Sequence, residues 1–288
     1  MISAMALPLV AIDREEALRQ ELERVYERWR TSILTKNFDR WRETTASYRQ
    51  VITRNAIVSR KQLFPSSIFN APITPPPTDG LQLLKLDEKN QTAVAVYYGP
   101  INFNLGVEEI PNNLLVLKFL FEDDAWRYDN SRYINLAGAE HIREKVAKGD
   151  FEFLEEQDFA PLGMIPPASK LCPDPDFAAH IHLVSIGYRT RAKVNEFYEI
   201  DISQDGGTDI VTGGLQNGEN TLKLEIERLE LPPESEKDRH FAVTIYALRR
   251  ETNKAPVPVF QFVSNDKDPP ATLEKSIIVD PQAVSAHP

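Results

Sequence analysis

Two pairs of side chains have a spacing from which chemistry could be built. Glu122-Asp-Asp-Ala125 reads as a turn between two strands, and if it centres on Asp123 and Asp124, Lys118 falls opposite Asp129 on the neighbouring strand. A carboxylate held beside an ammonium in a pocket is a general base. The same pair on a sheet rim is an ion pair worth at most about 1 kcal/mol. The second pair is His180 and His182. Two residues apart on a strand, both imidazoles point to one face, and Asp174, Asp176 and Cys172 stand near enough in sequence to complete a metal shell. The other reading is that both rings decorate the solvent face of a strand whose far side is Ala179, Ile181 and Leu183.

Other catalytic patterns are missing. The chain has no Gly-rich phosphate loop, no Gly-x-Ser-x-Gly elbow and no Cys-x-x-Cys. Cys172 is the single cysteine, set among prolines with no base beside it, so it makes neither an intrachain disulfide nor an evident nucleophile. Asp201, Asp205 and Asp209 surround Gly206-Gly207 but miss the ligand spacing of a calcium loop, so a turn with polar shoulders is expected. No cofactor is expected. Acids outnumber bases 43 to 33. That balance argues against nucleic acid, whose binders need cations to replace released counterions.

These residues must be positioned by two kinds of module, which 288 residues are enough to build. Asp13-Arg-Glu-Glu16 predicts a helix start, and Leu18, Leu22, Val25, Tyr26, Trp29 and Ile33 then line one helical face. The apolar start before it is too short to cross a bilayer and carries no Lys or Arg. It fits a periplasmic or secreted protein whose leader is incomplete, and otherwise a cytoplasmic one. Asn37 is placed to cap a second helix. A third helix should run through Ile57 and stop near Phe64-Pro65, before the stiff loop from Ala71 to Gly80. Two hairpins follow: Leu81 to Leu86 with Thr92 to Tyr98 around a loop at Asp87 to Asn90, then Leu114 to Phe121 with Trp126 to Leu136. Leu114 to Phe121 is apolar almost throughout, which predicts cover on both faces. A helix over Ala139 to Lys148, closed by Gly149, ends the module.

That order of a long amphipathic helix, two short helices and antiparallel hairpins, with Trp126 just after the last turn, resembles the NTF2-like (SnoaL-like, ketosteroid-isomerase-like) superfamily over about residues 12–137. The resemblance implies a cone-shaped pocket with an Asp or a His–Asp pair inside. No histidine precedes His141, so only an acid such as Asp129 could serve. It also implies that Trp29, Trp41, Tyr48, Tyr97, Trp126 and Tyr128 line a ligand cone, unless they are plain core.

From Phe177 the chain reads as short strands between turns, with Phe177 to Ile186, Arg191 to Tyr198, Thr221 to Ile226, His240 to Leu248 and Val259 to Val263 as the visible set. Leu222, Leu224, Ile226, Phe241, Val243, Ile245, Phe260 and Phe262 recur at period two and should share one core. Ala192-x-Val194-Asn195 followed by Gly214-Leu215-Gln-Asn-Gly218-Glu-Asn220-Thr-Leu222-x-Leu224 resembles the galactose-binding-like jelly rolls appended to glycosidases. There the turn glycine and the asparagine are folding features and not a sugar site. The expected organisation is an NTF2-like α+β domain with its trailing helix over 12–150, a proline-rich connector over 151–176 and an all-β sandwich over 177–281. The expected role is a non-catalytic binding or scaffold protein, envelope-associated, whose partner is a small apolar ligand or a glycan, with a homodimer left open. The alternative is an NTF2-like isomerase, cyclase or hydrolase using Asp129 as general base.

Overall fold

The computed structural model describes residues 6–70, 73–102, 110–167, 169–249, 254–264 and 268–286. Ala71 and Pro72 of the proline-rich loop and Ala168 of the connector lie outside them. With about 28% helix, 40% strand and three antiparallel sheets, the chain is a mostly-β α+β protein. Contacts group it into two units, residues 1–52 with 65–169, and residues 53–64 with 170–288. Among the described residues, no strand of one unit pairs with a strand of the other.

The first unit opens with α1 (Ala6–Leu34). It begins upstream of the expected start, so Asp13 lies inside the helix and does not cap it. Pro8 falls in the first turn, where its missing N–H leaves no bond unmade. Leu22, Tyr26 and Trp29 are buried along the expected face. α2 (Phe38–Thr44) is capped by Asn37, whose side chain accepts from the Arg40 N–H at 2.9 Å. α3 (Ser47–Ser59) stops earlier than the proline at 65 would require. Lys61 takes a positive φ of 59°, with Gln62 N–H bonded to Ile57 O and Lys61 N–H to Val58 O. This Schellman pattern satisfies the last carbonyls and ends the helix by itself.

The sheet of this unit is β1 (Gln82–Lys89), β2 (Thr92–Pro100), β3 (Asn112–Glu122) and β4 (Ala125–Ile134), in that order. Asp87 and Glu88 pair with Val94 and Ala93, so the loop expected from Asp87 shrinks to Asn90 and Gln91. The turn at Asp123 and Asp124 is where the sequence puts it. Both residues have positive φ, 49° and 59°, as a two-residue type I′ hairpin turn demands. Both faces of β3 are covered, as its apolar run predicts. Leu114 and Val116 pack with Leu154, Phe159, Ile142 and Phe153, from the segment that includes α4 (Glu140–Ala147) and the short turns after it. Leu115, Leu117 and Phe119 are buried on the alternate face, where the Phe119 and Tyr128 rings meet edge to face.

Among its described residues the second unit holds the end of α3 and eight strands: β5 (Ala179–Ile186), β6 (Tyr188–Val194), β7 (Tyr198–Ser203), β8 (Gly206–Ile210), β9 (Gly218–Arg228), β10 (His240–Ala247), β11 (Val257–Ser264) and β12 (Thr272–Val279), then α5 (Pro281–Ala286). They form two four-stranded sheets, ordered β11-β10-β5-β8 and β12-β9-β6-β7, around one core to which both contribute. Leu222, Leu224, Ile226, Phe241, Val243 and Ile245 are buried in it, with Phe260 and Phe262 packed half-buried against it. Gly187 carries the chain from one sheet to the other in a single residue. Its φ is 82°, and an added Cβ would stand 2.8 Å from the Arg239 side chain.

Three expectations need correction here. Arg191 to Tyr198 is not one strand: Asn195, at φ 50°, turns the chain between β6 and β7. Gly206-Gly207 does not turn; both residues lie in β8. β12 pairs with β9 beyond the last strand expected. Asn220 does satisfy backbone groups. Asn220 is buried, donates to Gln216 O and Gly218 O, and accepts from Gln216 N–H and from the Asn195 side chain. Asn195 in turn accepts from Thr221 N–H. The two amides hold the turn before β9 against the end of β6, a structural clamp in which Asn220 uses both its donors and both its acceptor positions.

Candidate functional site

The expected Lys118–Asp129 pair is not formed. From the turn outward the register is as counted, with Phe121 opposite Trp126, Leu120 opposite Arg127 and Phe119 opposite Tyr128. A bulge then intervenes, and Lys118 pairs with Asn130. A bulge sets two residues of one strand against one of its partner and re-aims the extra side chain. Asp129 is that extra residue. It is buried, and its Oδ1 accepts from Arg49 Nε at 3.1 Å. Lys118 lies on the other side of its strand, in line with Leu114 and Val116. Its charge, behind the hydrogen bond and charge of Arg132, helps hold the Asp158 carboxyl below the usual carboxylate range.

Arg49 is a site residue that the sequence did not reveal. It sits near the start of α3, 80 positions from Asp129, and no local pattern links the two. The start of α3 is held to both strands: Ala46 N–H donates to the backbone Tyr128 O of β4 at 2.8 Å, and Ser47 N–H donates to the side-chain Glu122 Oε2 of β3 at 2.9 Å.

Five of the six expected lining aromatics are buried, and each of the five meets side chains of the unit itself. Trp29 and Tyr128 stack at 3.8 Å between centroids, with Tyr26 at 5.7 Å from the first and 6.0 Å from the second. Trp41 stacks on Phe38 at 5.7 Å, and Trp126 meets Phe121 edge-on at 5.2 Å. Tyr97 donates its hydroxyl to Glu23 Oε1 at 3.0 Å. Burial raises the phenols of Tyr26, Tyr97 and Tyr128 well above the usual tyrosine value, so all three are neutral near pH 7. Tyr48 is half-buried, with the Arg49 guanidinium 6.0 Å from its ring centre. The Trp29 indole N–H and the Thr45 hydroxyl are buried without a hydrogen-bond partner among the described residues.

His180 and His182 do project from the same face of β5, opposite Ala179, Ile181 and Leu183. His182 Nδ1 lies 3.0 Å from Thr208 Oγ1 on β8. The residues expected to complete a metal shell are engaged elsewhere. Cys172 is buried, its Sγ 3.8 Å from Arg54 Nη1 and 4.0 Å from Ser59 Oγ, and Asp176 Oδ2 accepts from Asn217 N–H at 2.8 Å. Asp174 pairs with Arg54 at 3.3 Å. Among the described residues, no three or more His, Cys, Asp or Glu side chains are grouped so as to hold a metal ion. Of the aspartates near Gly206, Asp201 takes both Arg189 nitrogens at 3.0 Å, which holds it below its usual value. Asp209 accepts from Tyr198 Oη at 3.1 Å.

Fold and side-chain placement together define a mostly-β α+β chain of two units whose candidate acid is part of an arginine ion pair. Compared with known proteins, the chain matches no family model, no curated protein and no solved structure. No described helix is long and apolar enough to cross a membrane.

Proposed function

We propose that the chain is a non-catalytic binding or scaffold protein, with an NTF2-like first unit and a jelly-roll-like sandwich that meets a protein or a glycan. The observation that carries this reading is the Trp29–Tyr128 stack at 3.8 Å: two side chains expected to line a ligand cone pack on each other, with Tyr26 and Phe119 against them. Asp129 supports it. A general base must reach the proton it takes, and this carboxylate meets an arginine instead. The order of three helices and two hairpins supports the first kinship, and the clamp made by Asn195 and Asn220 supports the second.

The reading is tested with the full chain and its Asp129→Asn variant. Each is incubated in a metabolite extract and substrate loss is followed by mass spectrometry. The expected result is the same mass profile for both. Depletion of a compound by the wild type alone, while the variant still melts cooperatively, would overturn the reading. In native mass spectra of the purified chain, a glycan or protein partner is expected as a stoichiometric adduct.

A further inference from the structure

Along one side of the sandwich the two sheets end on different edge strands, β7 in one and β8 in the other. Paired residues of an antiparallel ladder project from the same face. Leu183 pairs with Gly207 and Ile181 with Asp209, and both aliphatic residues are buried in the core. The two core-facing positions of β8 are therefore a glycine and a carboxylate, where a half-buried strand ordinarily places apolar side chains.

The consequence is a lateral cleft of about 130 Å³ between the edge strands. Its floor is Ile181, Leu183, Ile200 and Ile202. Gly207 leaves it open, since a Cβ built there would meet nothing within 4 Å. Asp209 and Asp205 stand at its rim, and no lining residue is a lysine or arginine. Asp209 is oriented by the Tyr198 hydroxyl at 3.1 Å and by the Ile210 N–H at 2.7 Å. Tyr198 is itself buried, so the carboxylate is anchored from the core side.

We infer that this cleft is a binding site for a small free organic cation, an ammonium group carried on a short apolar body. The apolar floor takes the body and the Asp209 carboxylate takes the ammonium, while the absence of cations from the lining leaves the attraction uncancelled. A space of this size suits a small fragment of about ten non-hydrogen atoms or fewer, well below the volume of a drug-sized pocket. The inference goes beyond the proposed role and stands whether or not the first unit catalyses a reaction.

The probes are 2-phenylethylammonium chloride and its neutral counterpart 2-phenylethanol, each titrated into the full chain and followed by backbone amide shifts. Saturable shifts centred on residues 200–209 are expected, with an affinity in the roughly millimolar range. The ammonium should bind about fivefold more tightly than the alcohol, as one exposed ion pair allows. Asp209→Asn should remove that preference and keep weak binding of both probes. Gly207→Leu should fill the slot and abolish both responses, with the dispersed spectrum of a folded sandwich retained. Equal binding of the two probes by the wild type overturns the inference. So does the absence of saturable shifts at these residues, or unchanged binding by a folded Gly207→Leu protein.

Discussion

Arg49 Nε lies 3.1 Å from Asp129 Oδ1, joining the start of α3 to the bulge of β4. Both side chains are largely buried, at 24% and 12% exposure, so the two charges depend on each other. Arg49→Ala leaves the carboxylate without its partner and should cost about 2 kcal/mol. Asp129→Asn should cost less, because an amide oxygen still accepts from the guanidinium. Urea unfolding of the two single variants and the double variant measures this. Additive losses would mean that the pair is not coupled.

Trp29 contributes through packing. Replacing it by Ala removes the ring stacked on Tyr128 and should cost about 3–5 kcal/mol, the range for a large buried aromatic. Trp29→Phe keeps a stacked ring and drops a buried N–H that has no partner, so thermal melts should show a much smaller loss.

In the sandwich, Phe241→Ala should also cost about 3–5 kcal/mol, since Phe241 is fully buried. Phe260→Ala and Phe262→Ala should cost less, about 1–3 kcal/mol, because those rings only border the core. Lys223→Ala, on the outer face of β9, should stay within about 0.5 kcal/mol. Chemical denaturation gives all four values. A Lys223 loss equal to that of Phe241 would show that the outer face is also covered.

Asn220→Ala removes the amide that closes the β9 turn and leaves half-buried groups of Gln216, Gly218 and Asn195 without it. A loss of about 2–4 kcal/mol is expected from that many unmade bonds. Asn220→Asp keeps the acceptor but not the donors and should fall between the two. Hydrogen exchange should show the Gln216 and Thr221 amides deprotected first.

Glu236 gives the acid dependence a sign. The hydrogen bond and charge of Arg239, joined by Arg228, lower its carboxyl from 4.5 to about 2. A depressed acid stabilises the fold at pH above its unfolded value, and that contribution is lost as the pH falls through the folded one. The melting temperature of the wild type should therefore drop between about pH 4.5 and 2 by more than that of Glu236→Gln. Parallel curves for the two proteins would remove Glu236 from the acid limb.

What the sequence determined by itself is local. Asp123-Asp124 sets a type I′ turn because its backbone demands are met by two adjacent residues, and Asn37 caps α2 for the same reason. The apolar run of β3 announces cover on both faces, and period-two spacing sorts Leu222, Leu224 and Ile226 inward. The tertiary structure decided the rest. A register counted from the turn holds only until a bulge, and the bulge that parts Asp129 from Lys118 leaves no mark in residue type. Arg49 meets Asp129 across 80 positions, and Gly207 opens a cleft only because the fold sets it opposite Leu183. Such contacts depend on which elements pack together, which follows from burying the whole chain's apolar surface at once and from no short segment of it.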